Sequence, residues 1–125
     1  VILCTWHAGA RLEVGDSFSM TGGVICAANS VMIGNNVLVG ANTIIADTDF
    51  HPLSFEKRLA DSSAGETAPI IIEDNVFIGM NSLILKGITL GEGCVIGAGS
   101  VVTKNMPSKA VCAGNPAKVI RLLSC

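Results

Sequence analysis

An apolar residue followed by a small one recurs every six positions through most of this chain, and that repeat constrains the fold more than any other feature. It opens at Val14-Gly15, Met20-Thr21 and Cys26-Ala27, takes one extra residue, and continues at Ile33-Gly34, Val39-Gly40 and Ile45-Ala46. After an interruption it resumes at Ile72-Glu73, Ile78-Gly79, Ile84-Leu85, Leu90-Gly91, Ile96-Gly97 and Val102-Thr103. A period of six matches neither the 3.6 of a helix nor the simple alternation of a flat strand. It fits a short strand and a corner, repeated, which is a parallel β-helix. Three hexads close one triangular coil, so the repeat predicts an all-β solenoid of about four coils. The first residue of each hexad is expected to point inward. The fifth, small or apolar at Val24, Ser30, Val37, Thr43, Val76, Ser82, Ile88, Cys94 and Ser100, is expected to fill the remaining corner. The period alone leaves the hand of the coil open, and right-handed crossovers are the general rule.

Composition agrees with a thin-stranded coil. Half the residues are apolar, but only one Trp and four Phe are present, with no Tyr and fourteen Gly. The 125 residues read as one domain, 1–125, with residues 1–13 as a lead-in strand or broken first turn. A net charge of −2 argues against a nucleic-acid partner. No apolar run has the length of a membrane span and no signal peptide is visible, so the protein is expected in the cytoplasm. A first residue of Val rather than Met suggests that an upstream portion is missing. Cys4, Cys26, Cys94, Cys112 and Cys125 have no metal-ligand spacing and read as small apolar residues in a reducing compartment, with no metal site.

The interruption is where chemistry is expected. Asp47-Thr48-Asp49-Phe50-His51-Pro52 leads into a protruding, charge-bearing loop over residues 52–69. Beyond Met106-Pro107 the tail, 107–125, carries a Gly114-Asn115-Pro116 turn and then Ala117–Arg121, a strand or a short helix. The flat faces of such a solenoid invite packing about a threefold axis.

Together the hexads, the DTDFHP stretch, GAGSVVTKNMP and AGNPAKVIR resemble the hexapeptide-repeat acyltransferases, and most closely their sugar O-acetyltransferases. The resemblance covers about residues 14–121. It implies a left-handed coil, a homotrimer, acetyl-CoA as donor, active sites in grooves between subunits, and a saccharide acceptor from polysaccharide or glycolipid biosynthesis. His51 matches the general base, suited by a pKa near neutrality. Asp49, at an inward position, is the candidate to orient the ring, and Asp47 reads as a solvated corner. Ser82 matches the residue whose backbone N–H faces the thioester oxygen. Phe77 stands where the family often has Trp, along the CoA arm. Gly79, Gly97 and Ala98 permit close backbone approach, and Thr103, Lys104 and Arg121 match positions near the CoA phosphates. Thr21 and Gly22 fall where related enzymes contact the sugar, beside Asp49 and His51. His7 matches no motif and reads as a surface histidine.

Two other readings stay open: N-acetylation of an amino sugar or nucleotide-linked amino sugar, and a catalytically inactive binding solenoid. A γ-class carbonic anhydrase would need three zinc-binding histidines, and the chain has two. An ice-binding coil would show one uniform exposed face.

Overall fold

The computed structural model describes residues 1–124. Its strands wind in coils that lay one strand on each of three faces. The first coil contains β1 (Ile2–Thr5), β2 (Arg11–Val14) and β3 (Ser19–Met20). The second contains β4 (Gly23–Ala27), β5 (Ser30–Ile33) and β6 (Leu38–Val39). In the third, β7 (Thr43–Ala46) is followed by helix α1 (Phe55–Ala60), β8 (Ile70–Ile72) and β9 (Phe77–Ile78). The fourth has β10 (Leu83–Ile84), β11 (Thr89–Leu90) and β12 (Val95–Ile96), and the last has β13 (Val101–Val102) and β14 (Ala110–Gly114). The first face stacks β1-β4-β7-β10-β13, the second β2-β5-β8-β11, and the third β3-β6-β9-β12-β14, all parallel. β15 (Ala117–Leu122) then returns antiparallel on β14, so the tail after the Gly-Asn-Pro turn is a strand.

The first face carries five strands, against the about four coils expected. The difference lies at the ends. Residues 1–13 supply two strands in register with the repeat, and β14 completes the last coil beyond the final hexad.

Packing follows the pleat. Inward residues form one apolar column per face: Ile25, Ile45, Ile84 and Val102 on the first, Ile33, Ile72 and Leu90 on the second, Val39, Ile78, Ile96 and Cys112 on the third. All of these are buried, each Ile or Leu contributing about 2 kcal/mol. Val14, expected inward, is 40% exposed, because the terminal coil has no neighbour above it.

The repeat slips in the second coil. Pairing sets Ile25, not Cys26, opposite Ile45, and Gly23, not Val24, opposite Thr43. Gly23 has φ +117, and a Cβ there would overlap the Thr43 backbone, so the coil closes only with glycine at this point. The extra residue is absorbed in the Ala28-Asn29 corner that follows.

Corners between the second and third faces use residues in the left-handed region, Ser17, Asn36, Asn75, Gly93 and Lys109, stacked one above another. Side chains lock them together. Asn35 Oδ1 accepts from Asp16 N–H and Asp74 Oδ1 accepts from Asn35 N–H, at 2.7 and 2.8 Å. The same device at the corner between the third and first faces joins Asn42 Nδ2–H to Asn81 Oδ1 at 2.8 Å.

Candidate active site

The interruption leaves the coil at the corner between the first and second faces, and its root is tied by Asp47. That carboxylate is fully buried and accepts three backbone N–H groups, from Ala28 at 2.6 Å and from Asn29 and Ser30 at 2.7 Å. A buried carboxylate is tolerated only when satisfied in this way. Asp47 is therefore the structural aspartate and not a solvated corner. The loop closes just beyond it: Ala68 N–H donates to Asp47 O, Asp49 N–H donates to Glu66 O, and Thr48 bridges Thr67.

Within this closure the backbone turns sharply. Phe50 adopts φ +63, rare for an aromatic residue, with its N–H on Thr48 Oγ1 at 2.9 Å and His51 N–H on Asp49 O at 2.7 Å. Gly65 packs on the outside of the turn, where a Cβ would come within 2.6 Å of His51 N. The loop beyond folds back through α1, capped by Ser54, and Arg58 Nη1–H donates to Pro52 O and Leu53 O.

His51 is exposed, and its Nδ1 lies 2.6 Å from the carbonyl oxygen of Ser62. A carbonyl can only accept, so Nδ1 carries a proton, and in the neutral ring Nε2 is the nitrogen with the free lone pair. The expected partnership with Asp49 is not what forms. Asp49 Oδ2 instead lies 3.2 Å from Lys86 Nζ, one coil below, as an ion pair not aligned as a hydrogen bond. Lys86 projects from the same corner and reaches the aspartate first. Ser62 was not identifiable from sequence, because its contribution is a backbone oxygen.

A groove of about 380 Å³ runs along the corner between the third and first faces. Thr21, Phe77, Gly79, Gly97 and Ala98 line it, as do Gly40, Ala41 and Met80. Close stacking explains the glycines: a Cβ at Gly79 would come within 2.6 Å of Ala98 N. The N–H groups of Ala41, Met80 and Ala98, which line the groove one coil apart, find no acceptor among the described residues.

Ser82 does not belong to this groove. It is fully buried, and its one hydroxyl proton goes to Gly79 O at 2.8 Å, with Gly97 O 3.3 Å away. With Thr43 and Ser100 it forms an inward ladder of hydroxyls bonded to the carbonyls of Gly79 and Gly97. Met80, directly after Ile78-Gly79, holds the groove position expected of Ser82. The signal was its place immediately after Ile-Gly.

Gly22 does not line the groove either. Thr103 and Lys104 are exposed and follow β13, so they project from the corner that carries His51. Arg121 is exposed on β15, opposite Val111. His51, Thr103 and Lys104 thus stand at one corner and the groove at another, separated by the width of the first face, roughly 13 Å for a four-residue strand. One chain does not bring the two halves together. His7 is exposed in the turn after β1.

Cys26, Cys94 and Cys112 are buried and free. Burial pushes the Cys26 and Cys94 thiols up to about 12, and raises that of Cys112. Cys125 lies outside the described residues.

A family model, the hexapeptide repeat of succinyl-transferase, matches residues 28–46 and 69–104. A maltose O-acetyltransferase of Clostridium difficile 630 superimposes with a TM-score of 0.81 at 32% identity, over 99% of this chain and 67% of that one. The chain belongs to the hexapeptide-repeat acetyltransferase family. Another family structure, from Vibrio cholerae O1 biovar eltor and crystallised with acetyl coenzyme A, gives a TM-score of 0.87 at 31% identity, over 99% of this chain and 66% of that one. The galactoside O-acetyltransferase of Escherichia coli K12 is 39% identical over 116 residues, which are 90% of this chain and 55% of that protein. N-acetyltransferases of the family are also among the relatives. The chain spans about half the length, 42–58%, of the first curated relatives it matches.

Proposed function

We propose that this chain carries out acetyl-CoA-dependent acetylation of a sugar hydroxyl, as in surface polysaccharides or glycolipids, with His51 as the general base. The observation that carries this reading is the His51 ring itself, held through Nδ1 by Ser62 O so that Nε2 is free to accept a proton. Acetyl-CoA supplies an acetyl group activated as a thioester. His51 Nε2 takes the acceptor hydroxyl's proton as the oxygen attacks, and returns a proton to the departing sulfur. Backbone N–H groups of the groove, Met80 foremost, stabilise negative charge developing on the acetyl oxygen. Phe77 and the glycine backbone suit the apolar and amide-bearing pantetheine arm, and Lys104 and Arg121 suit the phosphates.

The split between the two corners supports a site shared by neighbouring copies. The outer side of the first face carries an apolar column, Ile2, Val24, Ile44, Leu83 and Val101. Packing three such faces about an axis covers it and brings the His51 corner of one copy to the groove of the next. A left-handed homotrimer is part of this reading. So is a cytoplasmic location, which suits buried free thiols.

Thiol release from acetyl-CoA in the presence of hydroxyl acceptors tests the reading. His51→Ala is expected to lose about 10²–10⁴-fold in rate while staying folded and oligomeric. Equal, measurable rates in the two proteins would remove His51 as the base, and no turnover in either would favour a binding solenoid. The N-acetyltransferase relatives make N-acetylation the second reading, and amine acceptors in the same assay discriminate it.

A further inference from the structure

The buried core contains no aromatic residue, yet the chain's single Trp is placed against Phe50, the residue before His51. Trp6 follows β1 at the corner between the first and second faces, its backbone N–H donating to Ala27 O at 2.7 Å. Its indole meets the ring of Phe50 edge to face, with centroids 5.5 Å apart and planes at 87°. Phe50 immediately precedes His51 and is fixed by the turn described above, so this contact ties Trp6 to the base. Trp6 nonetheless remains 52% exposed. An edge-to-face pair leaves aromatic surface uncovered, and here the uncovered surface is large and apolar and belongs to a ring packed on the residue that precedes the proposed base.

We propose that Trp6 forms the platform of the acceptor subsite, taking the apolar C–H face of a pyranose ring while one of its hydroxyls reaches His51. A sugar ring is amphipathic: its hydroxyls lie around the rim and its axial C–H groups make a flat apolar patch. An exposed indole supported on one edge by Phe50 matches that patch. Small open-chain hydroxyl acceptors offer no such face. The inference rests on the sugar-acetylation reading and specifies which side chain recognises the ring.

The chain has one Trp and no Tyr, so intrinsic emission excited at long wavelength reports Trp6 alone. The probes are methyl galactoside, glucoside and mannoside pyranosides and methyl N-acetylglucosaminide, with glycerol and L-serine as open-chain acceptors. Titration without acetyl-CoA is expected to shift or quench Trp6 emission saturably with the pyranoside that is acetylated fastest, and not with glycerol or serine. Trp6→Ala is expected to raise KM for that pyranoside roughly tenfold, more than it lowers kcat, and Trp6→Phe to recover most of the loss. Turnover of a pyranoside with unmoved emission and an unchanged KM in Trp6→Ala would overturn the platform while leaving sugar acetylation standing. Turnover of only the open-chain acceptors would overturn both. Should Trp6→Ala fail to fold, the wild-type titration still decides.

Discussion

The carbonyl oxygen of Ser62 lies 2.6 Å from Nδ1 of His51 and selects, for the neutral ring, the tautomer with the proton on Nδ1. A main-chain oxygen thus holds the position where a carboxylate was expected. The loop beyond His51 is folded back on itself by α1, and one result of that fold is to deliver Ser62 to the ring. Asp49, released from that task, joins Lys86 in pinning the loop to the coil beneath.

This arrangement depends on Gly65. A methyl group there would meet His51 N and the Phe50 carbonyl carbon at 2.6 Å, both backbone atoms that cannot rotate away. Gly65→Ala is expected to displace the His51 turn and lower acetyl transfer roughly tenfold or more, because small misplacements of a base are costly. Circular dichroism should show the solenoid intact, since no inward column includes this residue.

Asp47 has the opposite profile. Removing its carboxylate strands the N–H groups of Ala28, Asn29 and Ser30. Asp47→Ala is expected to destabilise the fold by about 3 kcal/mol or more, read as a lower midpoint in urea unfolding. Asp47→Asn keeps one acceptor oxygen and should recover part of the loss.

The apolar column of the first face gives a test of assembly. Ile44 is its central member and 39% exposed in the single chain. If the proposed trimer forms through this face, Ile44→Lys is expected to shift sedimentation from trimer toward monomer and to abolish turnover, since His51 and the groove would then stand apart. Activity retained by a monomer would require the two halves to meet within one chain.

The buried thiols set a pH limit. For Cys26 and Cys94, burial raises the folded value from 9.0 to about 12, so between these values the folded state holds protons that the unfolded state releases. Their contribution is fully present below pH 9 and is lost as pH rises toward 12. Thermal unfolding measured from pH 8 to 11 should show stability falling across the upper part of that range. Native protein at pH 8 should leave both thiols unreacted with a disulfide reagent that modifies them after denaturation.

Much of the fold was legible because the signal is local and repeated. Ile33, Ile72 and Ile78 announce their inward positions through neighbours six residues away, and the same small residue follows or accompanies many of them. The frame failed at Cys26, where three consecutive residues, Ile25, Cys26 and Ala27, are all buried and the period gives no means to choose among them. Only strand pairing with Ile45 makes the choice. The first coil was equally obscure, since Leu3 and Val14 sit at an uncovered end and carry a weaker pattern.

For the candidate site, Thr21, Phe77, Gly79, Gly97 and Ala98 do converge on one groove. Ser82 does not, because a fifth-position residue points inward, and its hydroxyl is needed by Gly79 O and Gly97 O. The two aspartates exchanged their expected surroundings for a similar reason. Asp47 is buried by Ala28, Asn29 and Ser30, 17 to 19 residues earlier in the chain, whereas Asp49 is drawn to Lys86.

By itself, the sequence determined that the chain is a parallel β-helix with a loop projecting after Ala46, because hexads and their interruption are properties of neighbouring residues. Tertiary structure alone decided which partner each polar group receives and which corner each candidate residue occupies. Those outcomes depend on the stacking of coils, which sets side chains from distant hexads face to face at hydrogen-bonding distance. So the stretch around His51 was visible as an interruption, but its orienting oxygen, its pinned aspartate and its separation from the groove emerged only once the coils were stacked.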